Sequence, residues 1–378
     1  MKNKYVVARH AFGGIGDHIS CLIGAWWLAK QTGRTLVIDW RGSRFNTDPT
    51  RTRNCFWDYY VQRDQLGGVE VIADNRVANI EWPTPIFPPK WTASALATPA
   101  HLKHTAEEIA AVNQLVASGT DRTEPTIAIN QWVNPHPPKE AVKILLEELR
   151  PASFIDAESQ RFWDQNFGVH PVVGIHIRHG NGENIGERSA YWLGPFALAT
   201  QLVRNHRADV HRPGLAGRYL DNMPESLVGT KAQRPFEKRF YRRIGDEFHA
   251  LSRATGIDRA LLFTDAPQVI SGLQDFIPSL VACPKLLMAE GTGPLHQLDA
   301  NSIQNTDGGG IECLGIDQRI TREMFVELEL MRRCEALLCM SSGFSIFAQR
   351  RLPDSHIRFL EPNKLNVLIS KLISRFVQ

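Results

Sequence analysis

The feature that most constrains this chain is a short apolar strand that runs through a glycine-rich turn into an amphipathic helix. Residues 5–9 (YVVAR) predict the strand and 12–17 (FGGIGD) predict the turn, after which apolar residues recur at helical spacing. Gly33 stands where a C-terminal glycine cap belongs, and 35–40 (TLVIDW) predicts the next strand. A strand–loop–helix–strand unit of this kind builds a parallel sheet.

The pattern recurs in the second half of the chain, where a strand at 171–178 (PVVGIHIR) enters a glycine-rich loop at 179–187 (HGNGENIGE). Further apolar runs predict strands at 69–74, 126–130, 259–265, 336–342 and 357–363, and helical spacing predicts helices at 105–117, 139–149, 195–206, 236–256, 267–275, 321–334 and 364–376. The polar stretch at 208–236 predicts a surface insertion.

Strands that alternate with helices in both halves predict an α/β fold with two Rossmann-like domains facing a central cleft. With 378 residues the chain exceeds what one hydrophobic core usually serves, so two domains are expected. We place an N-terminal domain at 1–165, a C-terminal domain at 166–360 and a C-terminal helix at 361–378, whose return to the N-terminal domain stays open. Ligands of such sheets bind beyond the carboxyl ends of the strands.

Composition and charge exclude several classes of protein. Apolar residues make up 43% and charged residues 22% of the chain, which is typical of a globular protein and excludes a disordered or fibrous one. The net charge of +3 excludes a strongly basic nucleic-acid binder. This mild charge is compatible with a protein that binds one small polyanion.

The cysteines and the apolar runs bear on the compartment. Six cysteines without CxxC spacing predict reduced, buried thiols rather than a zinc site or disulfides. No stretch approaches 18 uninterrupted apolar residues, and the N-terminus lacks the long apolar segment of a signal peptide. We therefore expect no membrane span and a cytoplasmic location, with peripheral association at the inner membrane left open.

The first glycine-rich turn resembles turns that present backbone amides to a phosphate at a helix N-terminus, with Gly14 and Gly16 as the residues that approach it. It is not a complete GxGxxG, and no lysine follows as in a Walker A loop. A tight strand-to-helix turn that needs glycine explains the same residues equally well, with Asp17 as the N-cap.

Arg178 ends the strand at 171–178, where a fixed guanidinium is able to bind a pyrophosphate in bidentate fashion. Glycosyl transfer from a nucleotide diphosphate leaves negative charge on the leaving group, and a positioned arginine stabilises that charge where no metal does. The alternative is an arginine in a structural ion pair. We favour the catalytic role because glycines and polar residues follow directly. His176, on the same strand, is typical of a framework residue.

Other polar residues lie at the ends of predicted strands. Glu183 or Glu187 is a candidate general base for an acceptor hydroxyl, although each alone is more typical of solvated surface than of a catalytic residue. Asp265 is suited either to hydrogen bonds with a nucleoside or to capping the next helix. Three serines, Ser341, Ser342 and Ser345, supply hydroxyls at a strand-to-helix turn that suits an anion. No Asp-x-Asp sequence is present, so a nucleotide-sugar metal site is not indicated.

These stretches resemble the nodulation-factor α-1,6-fucosyltransferases of rhizobia (the NodZ family) and, more distantly, the eukaryotic α-1,6- and protein O-fucosyltransferases. The matching stretches are GIGD (14–17), TGRTLVIDWRGS (32–43), VVGIHIRHGNGE (172–183), AYW (190–192), FTDAPQV (263–269), GPLH (293–296) and SSGFS (341–345). They recur in the expected order over almost the whole chain, whereas residues 44–165 match only in outline.

The resemblance implies a GT-B-like fold and an inverting, metal-independent transfer of L-fucose from GDP-β-L-fucose to an oligosaccharide. It implies that Arg178 holds the β-phosphate, that His176 and Asp265 hold guanosine, and that the hydroxyls of 341–345 contact the pyrophosphate. The turn at 13–16 then approaches the diphosphate or the sugar. The implied acceptor is O6 of N-acetylglucosamine in a chitin-like oligosaccharide, with no cofactor beyond the donor substrate.

Several alternatives stay open. One is a transferase that uses another GDP-sugar such as GDP-mannose, and another is a non-catalytic protein that binds nucleotide sugars or glycans on the same scaffold. A dehydrogenase would need Asp39, near the end of the second strand, to hold a ribose, but its GxGxxG is missing. Trp26, Trp27 and Trp192 are candidates for stacking on sugar rings, with helical core packing favoured for the first two.

Overall fold

The computed structural model of the protein describes residues 4–9, 14–43, 45–48, 50–99, 102, 104–134, 137–177, 230–264, 267–285, 318–340 and 342–360. The predicted helices at 195–206 and 364–376 lie outside these residues, as does most of the predicted insertion at 208–236. The chain divides into two compact units, of which the first comprises Met1–Gln165, Asn301–Arg333 and Ser342–Leu352, and the second comprises Asn166–Ala300, Cys334–Ser341 and Pro353–Gln378.

Strands alternate with helices along the described chain. The first part contains β1 (Tyr5–Ala8), α1 (Ile15–Thr32), β2 (Thr35–Ile38), α2 (Phe56–Tyr59), β3 (Gln65–Leu66), β4 (Val69–Ile72), β5 (Ile86–Phe87), α3 (Ala93–Ala97), α4 (Ala106–Ser118), β6 (Thr126–Ile129), α5 (Lys139–Glu148) and α6 (Ser153–Asn166). The rest contains β7 (Val172–His176), α7 (Thr230–Thr255), β8 (Arg259–Phe263), α8 (Pro267–Gln274), β9 (Leu280–Ala282), α9 (Gln318–Arg333), β10 (Ala336–Cys339), α10 (Ile346–Gln349) and β11 (Ile357–Phe359). Short 3-10 helices lie at Asn75–Asn79 and Asp354–His356.

The first unit is built on a six-stranded sheet with the order β3-β4-β2-β1-β6-β5. All of its pairings are parallel except that of β3 with β4. Tyr5 of β1 lies opposite Thr35 on one side and Thr126 on the other. The residues of β1 and β6 are buried throughout, as expected for parallel strands that are covered on both faces.

The second unit contains a five-stranded, fully parallel sheet with the order β11-β10-β7-β8-β9. The chain therefore runs outward from β7 through β8 to β9, and then returns to add β10 and β11 on the other side of β7. This is the Rossmann-like order. In the first sheet the order also changes side at β1, but there the chain forms the edge strand β5 before it inserts β6 next to β1. The two sheets confirm the prediction of two α/β units with parallel sheets.

Helix α1 shows why the N-terminal sequence folds as predicted. Gly33 ends the helix in the left-handed conformation, with φ of 64°, and its N–H bonds the carbonyl of Ala29. Trp26 is fully buried, and its indole Nε1 donates to the carbonyl of Leu66 at 2.8 Å. Trp26 is therefore a core residue and is not exposed for stacking on a sugar, whereas Trp27 is half-buried.

Several boundaries differ from the sequence prediction. Helix α7 begins at Thr230, so the last residues of the stretch at 208–236 are helical, whereas the sequence predicted a helix only from 236. Helix α6 was not predicted, because its buried side chains form a single narrow stripe of Ile155, Ser159 and Trp163 among polar residues. Strands of two or three residues, such as β5 and β9, are too short to show a period.

Helix α9 belongs to the first unit, although the predicted domain ranges assign residues 318–333 to the second. Its Phe325 is buried and stacks on Tyr59, with ring centroids 4.0 Å apart and planes inclined by 7°. The rings of Trp40, Phe45 and Tyr60 surround it at 5.9–6.5 Å. An ion pair between Arg333 and Asp156 at 2.6 Å connects the end of the helix to α6.

Replacing Phe325 with alanine is expected to lower the free energy of unfolding by about 3–5 kcal/mol, because it empties the centre of this aromatic cluster. Urea denaturation followed by tryptophan fluorescence measures the effect on the first unit, since eight of the nine tryptophans precede residue 166. The matched control is Phe359→Ala, at a side chain that is 49% exposed, which should change the free energy little. Equal losses in both variants would contradict the docking of α9 through Phe325.

Candidate functional site

The predicted site residues divide between described and undescribed parts of the chain. Those that the structure describes are Gly14, Gly16, His176, Ser342 and Ser345. The others, Arg178, Glu183, Glu187, Asp265 and Ser341, lie outside the described residues, as does Trp192. Their roles stay predictions, and the geometry of the site is built from the residues around them.

The glycine turn ends at Gly14, which is the N-cap of α1 in an extended conformation. The carboxylate of Asp17 accepts the N–H of Gly14 at 2.8 Å, and the carbonyl of Gly14 accepts the N–H of Asp17 at 3.0 Å. Asp17 is thus at position N3, where its carboxylate caps the N–H of the N-cap residue Gly14, and it is not the N-cap itself. This reciprocal pair fixes the first turn of the helix.

The start of α1 presents two backbone N–H groups, those of Ile15 and Gly16, that have no hydrogen-bond partner among the described residues. Such amides at a helix N-terminus carry the positive end of the helix dipole and favour a negatively charged group. The prediction that Gly14 and Gly16 approach a phosphate is compatible with this geometry and stays a prediction.

Gly16 lies directly against the serine turn, within the first unit. A Cβ at Gly16 would lie 2.2 Å from the carbonyl carbon and 2.4 Å from the carbonyl oxygen of Gly343. A Cβ at Gly343 would in turn lie 2.8 Å from the ring of Trp132. Backbone meets backbone here, so both positions require glycine for space, and the structure brings the predicted glycine turn and the Ser342–Ser345 turn together.

The hydroxyls of the serine turn take part in hydrogen bonds within the turn. The Ser342 Oγ accepts the N–H of Phe344 at 3.2 Å. Ser345 is buried, and its Oγ donates to the carbonyl of Ser342 at 3.1 Å while accepting from the Gln349 amide at 2.7 Å. The described hydroxyls therefore shape the turn, and their contact with a pyrophosphate is untested.

In the second unit, the carboxyl ends of three neighbouring strands lie side by side. His176, the last residue of β7, is buried and is in register with Phe263 of β8 and Cys339 of β10. The N–H of Ile177 donates to the carbonyl of Phe263 at 3.0 Å, and the N–H of Met340 donates to the carbonyl of His176 at 3.3 Å. The strand order reverses between β7 and β10, which is the position where open α/β sheets bind ligands.

Sequence reasoning missed a buried charge cluster at the carboxyl edge of the first sheet. Asp39, which follows β2, is fully buried and bonds two arginines, Arg9 at 3.0 Å and Arg41 at 2.9 Å. Burial lowers the pKa of Arg9 from its ordinary value, and the charge of Asp39 opposes that shift. Because Asp39 is buried and paired with two arginines, it is not available to bind a ribose. The dehydrogenase alternative therefore lacks the acidic residue that it requires.

The two arginines also bind the end of α3. Arg9 donates to the carbonyl of Ala95 at 2.8 Å and to that of Thr98, and Arg41 donates to the carbonyls of Leu96 at 2.9 Å and Ala97 at 3.0 Å. The carbonyl end of a helix carries partial negative charge, which suits two guanidinium groups. The signal in the sequence was that two predicted strands end in charged residues. Arg9 ends the first strand, and Asp39 and Arg41 follow the second.

No group of three or more histidine, cysteine, aspartate or glutamate side chains among the described residues is arranged to hold a metal ion. No helix in the described part of the chain combines the length and apolar character needed to cross a membrane.

Comparison with known proteins gives a consistent set of relatives. Residues 2–213 match the family model of nodulation protein Z (NodZ). Nodulation protein Z of Bradyrhizobium diazoefficiens is 28% identical over 357 residues, covering 93% of this chain and 80% of that protein. Nodulation protein Z of Sinorhizobium fredii is 25% identical over 359 residues, covering 93% of this chain and 92% of that protein.

Solved structures give the same answer for the fold. The crystal structure of NodZ α-1,6-fucosyltransferase co-crystallised with GDP matches with a TM-score of 0.57 and 21% identity, covering 93% of this chain and 94% of that one. The structure soaked with GDP-fucose matches with a TM-score of 0.58 and 20% identity, covering 97% of both chains. The predicted α/β fold of GT-B-like type is therefore confirmed.

Gly16→Ala is expected to lower the free energy of unfolding by about 3 kcal/mol, the upper end of the usual range for overpacking, because backbone rather than a flexible side chain must shift. Gly14→Ala is the matched control two residues away. Its Cβ would find its nearest neighbour 4.0 Å away, so about 1 kcal/mol or less is expected from the poorer N-cap. Urea denaturation compares the two variants, and equal losses would contradict the close approach of Gly16 to Gly343.

Asp39→Asn is expected to lower the free energy of unfolding by about 3–5 kcal/mol, because it leaves two buried guanidinium groups without their shared negative charge. The matched control is Asp64→Asn, at a side chain that is 89% exposed and 3.9 Å from Arg76. That control should stay within about 1 kcal/mol of the parent protein. Unfolding in urea, followed by tryptophan fluorescence, measures the free energy of unfolding of both variants. An Asp39→Asn protein as stable as the control would show that the ion pairs of Asp39 do not stabilise the fold.

Proposed function

The chain belongs to the nodulation protein Z (NodZ) family, and we propose that it is a glycosyltransferase that moves L-fucose from GDP-fucose to a hydroxyl of an oligosaccharide. Relatives of this chain that have been crystallised are named as α-1,6-fucosyltransferases and were studied with GDP and GDP-fucose. The function is proposed for this chain on that similarity together with its own residues.

The observation that carries the proposal is the reversal of strand order in the second sheet, between β7 and β10. Arg178 follows Ile177, the last described residue after β7, by one peptide bond, and consecutive Cα atoms are only about 3.8 Å apart. Asp265 and Ser341 likewise follow Thr264 and Met340 directly. The residues proposed to bind the donor are therefore attached to three strands that end side by side, which supports a common binding site at this edge.

The proposed chemistry is displacement at the anomeric carbon of fucose. An acceptor hydroxyl attacks from the face opposite GDP, so the configuration inverts, and the bond from the anomeric carbon to the β-phosphate oxygen breaks with its electrons going to GDP. Arg178 donates hydrogen bonds to that phosphate as negative charge develops. Glu183 or Glu187 takes the proton of the acceptor hydroxyl.

The donor is held by groups of different kinds. We propose that His176 and Asp265 bind guanosine, and that the amides at the start of α1 and the serine turn from Ser341 bind the diphosphate or the sugar. The unpartnered N–H groups of Ile15 and Gly16 in the described chain support the role of the glycine turn. Because Arg178 supplies the positive charge that a metal would otherwise give, we propose a reaction that continues in the presence of a chelator.

The proposed acceptor is O6 of N-acetylglucosamine in a chitin-like oligosaccharide, and the proposed location is the cytoplasm, with peripheral contact at the inner membrane left open. The linkage is supported by the α-1,6 activity named for the crystallised relatives. Acceptor specificity usually depends on loops. Product analysis by mass spectrometry, with GDP-fucose and GDP-mannose offered to the same oligosaccharides with and without chelator, tests donor, acceptor and metal dependence together.

Arg178→Ala is expected to reduce kcat by about 10²–10³-fold, since one such stabilising donor contributes about 2.7–4 kcal/mol to the transition state. Arg242→Ala, at an exposed residue of α7, is the matched control and should leave the rate unchanged. Rates of fucosyl transfer and thermal unfolding are measured for both. A folded Arg178→Ala protein with a rate near that of the parent would refute the assigned role.

A further inference from the structure

The carbonyl of Gly14 is bound by a buried histidine that lies one turn along α1. The Nδ1 of His18 lies 3.1 Å from that carbonyl oxygen, and the backbone N–H of His18 donates to the same oxygen at 3.4 Å. Asp17 binds the other side of the same residue, at the N–H of Gly14. Side chains of the first helical turn thus bind both the N–H and the carbonyl of Gly14, the last residue of the glycine turn.

The other nitrogen of the same ring contacts a different segment. His18 Nε2 lies 3.0 Å from the hydroxyl of Ser43, in the loop that follows β2. A carbonyl oxygen only accepts, so Nδ1 must carry the proton that bonds Gly14. In the neutral ring Nε2 is then an acceptor, and the Ser43 hydroxyl donates to it. The partners on both sides therefore define one tautomer.

The ring is also fixed by packing. His18 is buried, with its ring edge-to-face against Trp40 at 5.3 Å and Phe45 at 4.9 Å between centroids. Phe45 in turn donates its backbone N–H to the hydroxyl of Ser43 at 3.2 Å. The histidine thus connects the Gly14 carbonyl, which the backbone N–H groups of Asp17 and His18 also bind, to the DWRGS segment at 39–43.

We propose that His18 is a positioning residue that orients the glycine turn for binding the diphosphate of the donor. The hydrogen bond from Nδ1 helps to fix the Gly14 carbonyl, and with it the direction of the Ile15 N–H in the same planar peptide unit. This inference rests on the proposed function, because it requires that the turn contacts a nucleotide diphosphate. It names a role for His18 and Ser43 that the sequence motifs did not assign.

Two substitutions separate this role from simple core packing. The amide nitrogen of asparagine reaches the position of Nδ1, so His18→Asn keeps the bond to Gly14 and loses the bond to Ser43. Glutamine reaches the position of Nε2, so His18→Gln keeps Ser43 and loses Gly14. Both remove the same aromatic ring, so a residue that only fills space predicts equal effects of the two changes.

The experiment measures GDP binding by calorimetry and the KM values of GDP-fucose and of the oligosaccharide acceptor. His18→Gln is expected to weaken GDP binding by about 2- to 12-fold, the effect of one hydrogen bond, and to raise the KM of GDP-fucose while the KM of the acceptor stays the same. His18→Asn is expected to stay within about twofold of the parent. Should His18→Gln fail to fold, His18→Phe, which has a ring but no N–H, takes its place with the same expectation.

The matched control is His249→Gln, since His249 also lies at hydrogen-bond distance from a backbone carbonyl, that of Phe276 at 3.0 Å, but is exposed and belongs to the second unit. It should leave GDP binding unchanged. Equal GDP affinity of the Asn and Gln variants, or a change confined to the acceptor KM, would overturn the inference while the parent protein still binds GDP. A parent protein that binds no GDP would instead overturn the proposed function.

Discussion

The parallel pairing of β7 with both β8 and β10 is the constraint on which the second unit depends. One strand at the centre fixes the positions of its two neighbours, so three chain segments leave the sheet at one edge and in one register. In the first unit β1 has the same position between β2 and β6. In each sheet the strand order alone therefore places several strand ends side by side, whichever side chains follow them.

The carboxyl edge of the first sheet shows two uses of backbone polarity. Next to β1 and β2, Arg9 and Arg41 donate to the carbonyls at the end of α3 and share one carboxylate, that of Asp39, so both guanidinium groups are bound within the first unit. At the start of α1 the polarity is opposite, and the amides of Ile15 and Gly16 have no partner in the described chain. The glycine turn therefore presents unbound amides to an anion, whereas the arginines are bound to Asp39 and to the carbonyls of α3.

The sequence predicted the long elements well because apolar runs and helical periods are local signals. The strands at 5–8, 35–38 and 126–129 and the helix ending at Gly33 were all read from them. Helix α6 has too few apolar residues to show a period, and the contact of Gly16 with Gly343 joins segments more than 300 residues apart. His18 was missed for the same reason, since its role depends on Ser43 and on a ring pocket that only the folded chain assembles. Arg178 was predicted because charge at a strand end is a local signal, and its role stays a prediction.

A turn that binds through backbone amides depends on shape more than on side-chain charge. Its requirements are a glycine at position 16 that allows the close approach of Gly343, a carboxylate that binds the N–H of Gly14 and a ring that binds its carbonyl. None of these groups needs to contact a ligand, so residue types alone do not reveal what the His18 ring contributes. Arg178, by contrast, is proposed to contact the leaving group directly, and a charged residue at the end of a predicted strand is visible in the sequence. The proposed site thus has one part, such as Arg178, that residue types in the sequence predict, and another part, which includes His18, that only the packing of the folded chain reveals.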